Sequence, residues 1–243
     1  MTWVALGGSR RVPKKNIKML GDHPPKPLIA FTIEEAKKAH SLDYFLVSTN
    51  DEEIAKISKA WGAHVPFKRP EPISEDIDSV FCLKHALEWY ERKKQQKVSH
   101  VCCLQPTSPL KNSDDIDRCI QIAKETDADT VISISSVKQH PFWMFSLQPN
   151  QQLTPYMDID LEGDNLVWQK LPILFYPNGA IYVTKRDLIL QNRIFGDQIY
   201  GYMMPTERSI DLEEEFDFIV CSALLPMIKK NNKEWVKLSW RIS

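Results

Sequence analysis

Apolar positions along this chain switch repeatedly between strand spacing and helix spacing. Residues 2–6 (TWVAL) form a short apolar run of strand type. Residues 27–39 (PLIAFTIEEAKKA) read as a helix with Leu28, Phe31 and Ala36 on one side. DYFLVST (43–49) is again compact and β-rich. Asn50 then stands at a helix N-cap with Glu53 at the capping-box position. Ile54, Ile57 and Trp61 follow at i, i+3 and i+7, and Gly62 ends the helix. HVPF (64–67) is a short extended piece. Val80, Leu83, Leu87 and Tyr90 mark a long helix that runs into the solvated RKKQQK. SHVCCL (99–104) reads as a strand and QPTSPL as a turn-rich loop. Asn112 or Ser113 opens the next helix. Asp114 and Asp115 occupy its first turn, where acids suit the helix dipole, and Ile116, Cys119, Ile120 and Ala123 form its buried face. ADTVISIS (128–135) is the next strand.

This alternation from residue 2 to 135 predicts an α/β fold, a doubly wound and mainly parallel sheet. From 138 to 178 it breaks into polar and aromatic residues with several prolines, as an inserted arm or hairpin would. GAIYVTK (179–185) and QIYGYMM (198–204) read as further strands. Residues 213–228 read as a closing helix with Phe216, Ile219, Val220, Ala223 and Met227 facing inward. The 243 residues suit a single domain that includes the arm.

Composition narrows the picture little: 43% hydrophobic and 26% charged residues are ordinary for a globular chain. No apolar run is long enough to cross a membrane, and no secretory leader pattern is present at the start. The five cysteines, Cys82, Cys102, Cys103, Cys119 and Cys221, make no CxxC pair. They read as small buried hydrophobes of a cytoplasmic protein rather than a disulfide framework or metal cage.

Charge does change the picture, locally. The net charge is −1, yet Arg10, Arg11, Lys14, Lys15 and Lys18 crowd into a short segment directly after Gly7, Gly8 and Ser9. In an open α/β sheet, ligands sit at the carboxyl ends of the strands, and this loop leaves the first strand there. Glycines let the backbone approach a phosphate, successive N–H groups can form an anion-binding nest, and lysine and arginine add charge. The loop is neither GxxxxGK[ST] nor GxGxxG. A solvated basic turn or a nucleic-acid patch is the competing reading of the loop alone. The balanced charge elsewhere argues against nucleic acid as a partner.

GGSRRVPKKNIK resembles the nucleotide loop of the acylneuraminate cytidylyltransferases, the CMP-sialic acid synthetases. PLIAFTIEEA, VSTNDEEIA (47–55), GAHVPFKRPEPISEDIDS (62–79), LQPTSPLK (104–111), HPFWMF (140–145), LP….NGAIY (171–182) and SIDLEEEFD (209–217) resemble further motifs of that family in the same order. The resemblance implies a nucleotide-diphospho-sugar transferase-like, Rossmann-like fold with an inserted dimerisation arm at about 138–178. It also implies transfer of CMP from CTP to the anomeric hydroxyl of a nine-carbon acidic sugar of the sialic, legionaminic or pseudaminic type, with release of pyrophosphate and with Mg²⁺ as cofactor. A homodimer is expected, because in the family this arm pairs two subunits.

The site residues follow from the same resemblance. The backbone of Gly7, Gly8 and Ser9 would wrap the phosphates. Arg10, Lys15 and Asn16 would hold the α-phosphate and the departing pyrophosphate. Arg69, Asp76 and Ser79 match positions near the nucleotide; helix capping is the other reading of Asp76 and Ser79. Gln105 and Thr107 would line the sugar pocket, joined by Asn178, Tyr182 and Phe195; turn chemistry and core packing are the competing roles. Asp211 and Glu213, at i and i+2, would hold the metal from one face of an extended segment. The chain departs from the family pattern at Leu6 and Trp168, where arginines are usual, and carries Glu213 for an aspartate. An impaired nucleotide-binding relative or assembly subunit, or a nucleotidyltransferase for another sugar acid, is the alternative reading.

Overall fold

The computed structural model describes residues 2–6, 14–21, 24–70, 79–158, 162 and 167–230; for 2–6, 168 and 229–230 it describes the backbone alone. The chain runs β1 (Thr2–Leu6), a 3-10 turn (Lys15–Ile17), β2 (Met19–Leu20), β3 (Lys26–Pro27), α1 (Leu28–Lys38), β4 (Tyr44–Ser48) and α2 (Glu52–Ala60). Then follow α3 (Ser79–Lys94), β5 (His100–Leu104), α4 (Ser113–Thr126), β6 (Thr130–Ser136), β7 (Phe145–Leu147), β8 (Leu153–Pro155) and β9 (Phe175–Lys185). α5 (Arg186–Leu190), β10 (Ile199–Met203) and α6 (Glu215–Lys230) complete it.

Six strands form the central sheet in the order β10-β6-β9-β5-β1-β4. β1 is parallel to β4 and β5, and β10 to β6. β9 runs antiparallel to β5, with Leu104 opposite Ile181. The pleat sends alternate side chains into two cores. Val47, Cys102, Leu104, Ile181 and Val183 join a cluster with Ile29, Ile33, Ile116 and Ile120 from α1 and α4. Leu46, Val101 and Cys103, with Tyr182 at the margin, join Val80, Leu83 and Leu87 of α3. Helices thus cover both faces, so the strands are apolar on both sides and lack polar alternation. All five cysteines are buried thiols.

Two expectations need correcting. Asp51, not Asn50, caps α2: its carboxylate accepts from Glu53 N at 2.7 Å and Ile54 N at 2.9 Å. Glu53 pairs with Lys14 instead of closing a capping box. α6 also presents another face. Phe218, Cys221 and Leu225 are buried against Leu20, Leu28, Phe31, Leu110 and Leu212, whereas Phe216, Ile219 and Met227 are exposed and Ala223 with them. Phe216 and Phe218 lie about 200° apart around a helix. This helix is apolar nearly all round, so its period cannot choose the buried face; the packing partners choose it.

Contact density divides the chain into two compact units, residues 1–134 with 177–243, and residues 135–176. In the second, β7 and β8 pair antiparallel, and Val137 N donates to Leu174 O. His140 is buried there. Its Nδ1 accepts from Phe142 N and its Nε2 donates to Pro172 O, both at 3.2 Å, which is a packing role. Many apolar side chains of this unit stay exposed: Met144, Phe145, Leu147, Leu153, Tyr156 and Ile173. Among the described residues no helix is long and apolar enough to cross a membrane.

Candidate functional site

Three segments distant in sequence meet beyond the carboxyl end of β5. The first is the 3-10 turn after the basic loop. Lys14 adopts φ 50°, which turns the chain so that Lys15 points inward. Lys15 is only 4% exposed. Its Nζ donates to Leu212 O at 2.6 Å and approaches Glu213 Oε2 at 3.1 Å. Asn16 is buried beside it. Lys18 pairs with Glu215. Residues 15–18 are therefore held by charge to the segment that carries Asp211 and Glu213.

The second segment is the loop after β5. Gln105 N donates to Ala180 O at 3.3 Å, and Ser108 N turns back to Gln105 O at 3.3 Å. Leu212 N donates to Thr107 O at 2.8 Å, which registers this loop against the third segment, 211–213. Asn112 caps α4 with a reciprocal capping box to Asp115. Asp115 is wholly buried and also accepts from Arg208 Nη2 at 2.6 Å and Tyr202 OH at 3.0 Å. Burial pushes its carboxyl up, and the Arg208 guanidinium opposes that rise. Asp115 thus braces the base of the loop, a larger task than complementing a helix dipole.

Asp211 is the chemical focus. Its Oδ1 is buried and has no hydrogen-bond partner among the described residues, and the same holds for Thr107 Oγ1 and Ser108 Oγ. Burial pushes the Asp211 carboxyl above its ordinary range. The Thr107 hydroxyl beside it pulls downward, although neither Thr107 Oγ1 nor Asp211 Oδ1 reaches hydrogen-bond geometry. The charge of Glu213 adds to the rise, while Lys15 and Lys111 oppose it. A buried carboxylate oxygen without a donor calls for a cation or a proton.

The antiparallel course of β9 brings its early residues, Asn178 and Gly179, to this same edge. Asn178 is buried and fully engaged. Its Oδ1 accepts from Ser133 Oγ at 2.6 Å and Ala180 N at 3.2 Å, and its Nδ2 donates to Ser209 Oγ at 2.9 Å. It fixes β9 to β6 and to the approach of the 211–213 segment. Gly179 has φ +77°, and a Cβ there would lie 3.1 Å from Asp211 Oδ2. Glycine is needed twice over, for the backbone angle and for room beside the carboxylate. Tyr182 packs at the margin of the cluster with Leu46, Val101 and Cys103, its ring edge-on to exposed Phe195 at 6.3 Å; burial pushes its hydroxyl up, and the charge of Asp211 adds to that rise.

Arg69 belongs to a neighbouring cluster at the end of β4. Its backbone N donates to Thr49 O at 2.9 Å. Its guanidinium donates to Asn50 Oδ1 and Cys82 Sγ, both at 3.2 Å. Asn50 is therefore an arginine anchor rather than a helix cap. Ser79 begins α3, the helix that carries Cys82. Gly7, Gly8, Ser9, Arg10 and Asp76 lie outside the described residues.

The sequence profile of the family described as "Cytidylyltransferase" matches residues 5–220. The chain belongs to this cytidylyltransferase family. It is 30% identical over 232 residues to the CMP-N,N'-diacetyllegionaminic acid synthase of Legionella pneumophila, covering 92% of this chain and 94% of that one. It is 31% identical over 220 residues to the N-acylneuraminate cytidylyltransferase of Streptococcus agalactiae serotype V, covering 88% of this chain and 50% of that longer protein. Among solved structures, CMP:2-keto-3-deoxy-manno-octonic acid synthetase complexed with CTP superposes with a TM-score of 0.64 at 13% identity, over 93% of this chain and 98% of that one. That likeness establishes the α/β cytidylyltransferase fold. Within this fold the sequence motifs supplied Lys15, Gln105, Thr107 and Asp211. They did not single out Gly179, Lys111 or the Asn50–Arg69 contact, although all of these residues stand inside the quoted motifs.

Proposed function

We propose that this cytidylyltransferase transfers CMP from CTP to the anomeric hydroxyl of a nine-carbon acidic sugar. The observation that carries the reading is the buried, unpartnered Asp211 oxygen beside Lys15, at the carboxyl edge of a cytidylyltransferase sheet. The relatives named for legionaminic acid and N-acylneuraminate support the sugar class. In the reaction the sugar's anomeric oxygen bonds to the α-phosphorus as the bond from that phosphorus to the bridging oxygen breaks. Pyrophosphate leaves with the electron pair, and the hydroxyl proton is lost.

Asp211 and Glu213 fit an Mg²⁺ ion. Mg²⁺ is commonly held by one or two carboxylates together with substrate phosphates rather than by an all-protein cage, and no group of three or more His, Cys, Asp or Glu ligands exists among the described residues. Bound there, Mg²⁺ would supply positive charge to the triphosphate oxygens. Lys15, fixed by Leu212 O and lacking bulk water around it, presents a preorganised charge to the α-phosphate and the leaving pyrophosphate. Asn16 stands beside it, and Arg10 with the Gly7–Ser9 backbone takes the remaining phosphates. Gln105 and Thr107 offer polar side chains to the sugar from a loop whose backbone is already committed. Arg69, held by Asn50 and Cys82, serves the nucleotide end. The exposed apolar face of residues 135–176 supports a homodimer, since a lone chain has little reason to leave so many large apolar side chains in water. Five buried thiols suit a reducing cytoplasm.

A thermal-shift panel with Mg²⁺ and each of CTP, UTP, ATP and GTP tests the nucleotide, and pyrophosphate release across nonulosonic acids tests the sugar. At 100 times its dissociation constant, CTP should stabilise by about 2.7 kcal/mol and raise Tm by roughly 5–10 °C. No shift with CTP, or no CTP-dependent pyrophosphate release with any nonulosonic acid, would overturn the proposal.

A further inference from the structure

Lys111 is the largest wholly buried charged side chain in the described protein, at 2% exposure. Its side chain folds back under the loop that precedes it. An ammonium has three N–H donors, and each finds one acceptor: Gln105 O at 2.6 Å, Ser108 O at 2.8 Å and Thr32 Oγ1 of α1 at 3.0 Å. Two of the acceptors are the end carbonyls of the turn 105–108. Of the two carbonyls between them, that of Thr107 accepts from Leu212 N at 2.8 Å. The backbone of the turn is thereby fixed from below by one cation and from the side by the segment that carries Asp211. The side chains of Gln105 and Thr107 take no part in these bonds.

Such an arrangement exceeds what a turn requires. Pro106, Ser108 and Pro109 already favour a turn here, and burying an ammonium is unfavourable unless every donor is used. Burial pushes this one down to about 7, with the carboxylates of Asp211 and Asp115 opposing the fall. A lysine kept in so unfavourable a place, with all its donors on one loop and its supporting helix, is there for geometry.

We propose that Lys111 is a positioning residue of the transferase reaction: its Nζ, through its bonds to the turn and to Thr32, locks residues 105–108 so that Gln105 and Thr107 meet the sugar in register with Asp211. The proposal rests on the function given above, and its test separates the two. Lys111→Met keeps the length and removes the donors; Lys111→Arg restores donors; Thr32→Val removes one acceptor. For Lys111→Met, kcat/KM for the sugar should fall about 10²–10³-fold, because small misplacement of positioning groups is that damaging. Its CTP·Mg²⁺ dissociation constant from thermal shift should stay within about threefold of wild type, since Lys111 bonds neither Lys15 nor Asp211 and Glu213, and faster exchange at 209–213 still leaves that segment closed nearly all the time. Hydrogen exchange should accelerate about tenfold or more in peptides covering 105–112 and 209–213, with α3 and β6 unchanged. Lys111→Arg should recover most of the loss, and Thr32→Val should give a smaller change in the same peptides.

An unchanged sugar kcat/KM and unchanged exchange in Lys111→Met would overturn the proposal. So would losses that fall equally on CTP binding and sugar use, with exchange raised throughout the chain. If the wild type turns over no nonulosonic acid, the function reading fails, and the exchange pattern still decides the clamp. If Lys111→Met does not accumulate, Thr32→Val decides it: faster exchange confined to 105–112 and 209–213 supports the clamp, and no change refutes it.

Discussion

The 104–112 segment and the 135–176 unit contain similar kinds of residue and treat them in opposite ways. In the first, Leu104, Ser108, Leu110 and Lys111 are buried, and the carbonyls of Gln105, Thr107 and Ser108 all have donors. In the second, Leu147, Leu153, Tyr156 and Ile173 are each more than half exposed, and β7 and β8 form only a short ribbon. The first segment is complete within one chain, and its unsatisfied atoms, Thr107 Oγ1 and Ser108 Oγ with nearby Asp211 Oδ1, are polar. What the second leaves unsatisfied is apolar. Unsatisfied polar atoms in a packed place call for a small charged or polar ligand, whereas uncovered apolar area calls for another protein surface.

The sharpest way to break this contrast is to remove the polar demand. Asp211→Asn should lower kcat by about 10³-fold or more while leaving the fold intact, because the buried charge has no hydrogen-bonding donor to lose at Oδ1. Steady-state rates together with Tm check this; an active Asp211→Asn enzyme would remove Asp211 from the chemistry. The apolar demand is tested by Leu147→Lys combined with Ile173→Lys. In the homodimer proposed above, two charges placed on this apolar surface should weaken dimerisation by about 10²-fold or more. Light scattering across a concentration series reads it, and a wild-type monomer at micromolar concentration would sink the dimer.

A smaller effect is expected at Gly179. Gly179→Ala must strain a φ of +77° and crowd Asp211 Oδ2. It should cost about 1–2 kcal/mol of stability. It should also reduce kcat roughly 10–100-fold by displacing the carboxylate, as denaturation and turnover measured on one preparation would reveal. The gentlest test is pH. The pKa of Lys111 is lowered in the folded state to about 7 from an unfolded value near 10.4. Between these values the unfolded chain binds more protons than the native one, so stability rises with pH. Relative to Lys111→Met, the wild type should gain up to about 1.4 kcal/mol per pH unit between pH 7 and 10. Below pH 7 the difference should level off. Urea denaturation at several pH values reads the slope, and a flat difference would mean that Lys111 stays protonated throughout.

Period and punctuation alone missed the two-residue strands β2 and β3 and began β9 at 179 rather than at Phe175, but they determined β1, β4 to β6, α1 to α4 and the α/β class. Each of those elements has a one-sided or two-sided apolar pattern bounded by turn residues. The motifs also placed Lys15, Gln105, Thr107 and Asp211 in one site, since spacing along a strand-to-loop edge survives folding. The tertiary structure decided what local pattern leaves degenerate. α6 is apolar nearly all round, so only Leu20, Leu28, Phe31, Leu110 and Leu212 could select Phe218, Cys221 and Leu225 over Phe216, Ile219 and Met227. Asn50 and Asp51 are both good caps, and Arg69, arriving from elsewhere in the chain, took Asn50. Lys111 looked like one more cation until the fold set Gln105 O, Ser108 O and Thr32 Oγ1 around it. A sequence records which groups are available; which of them are left without water, and which acceptors then reach them, is decided only when distant segments pack.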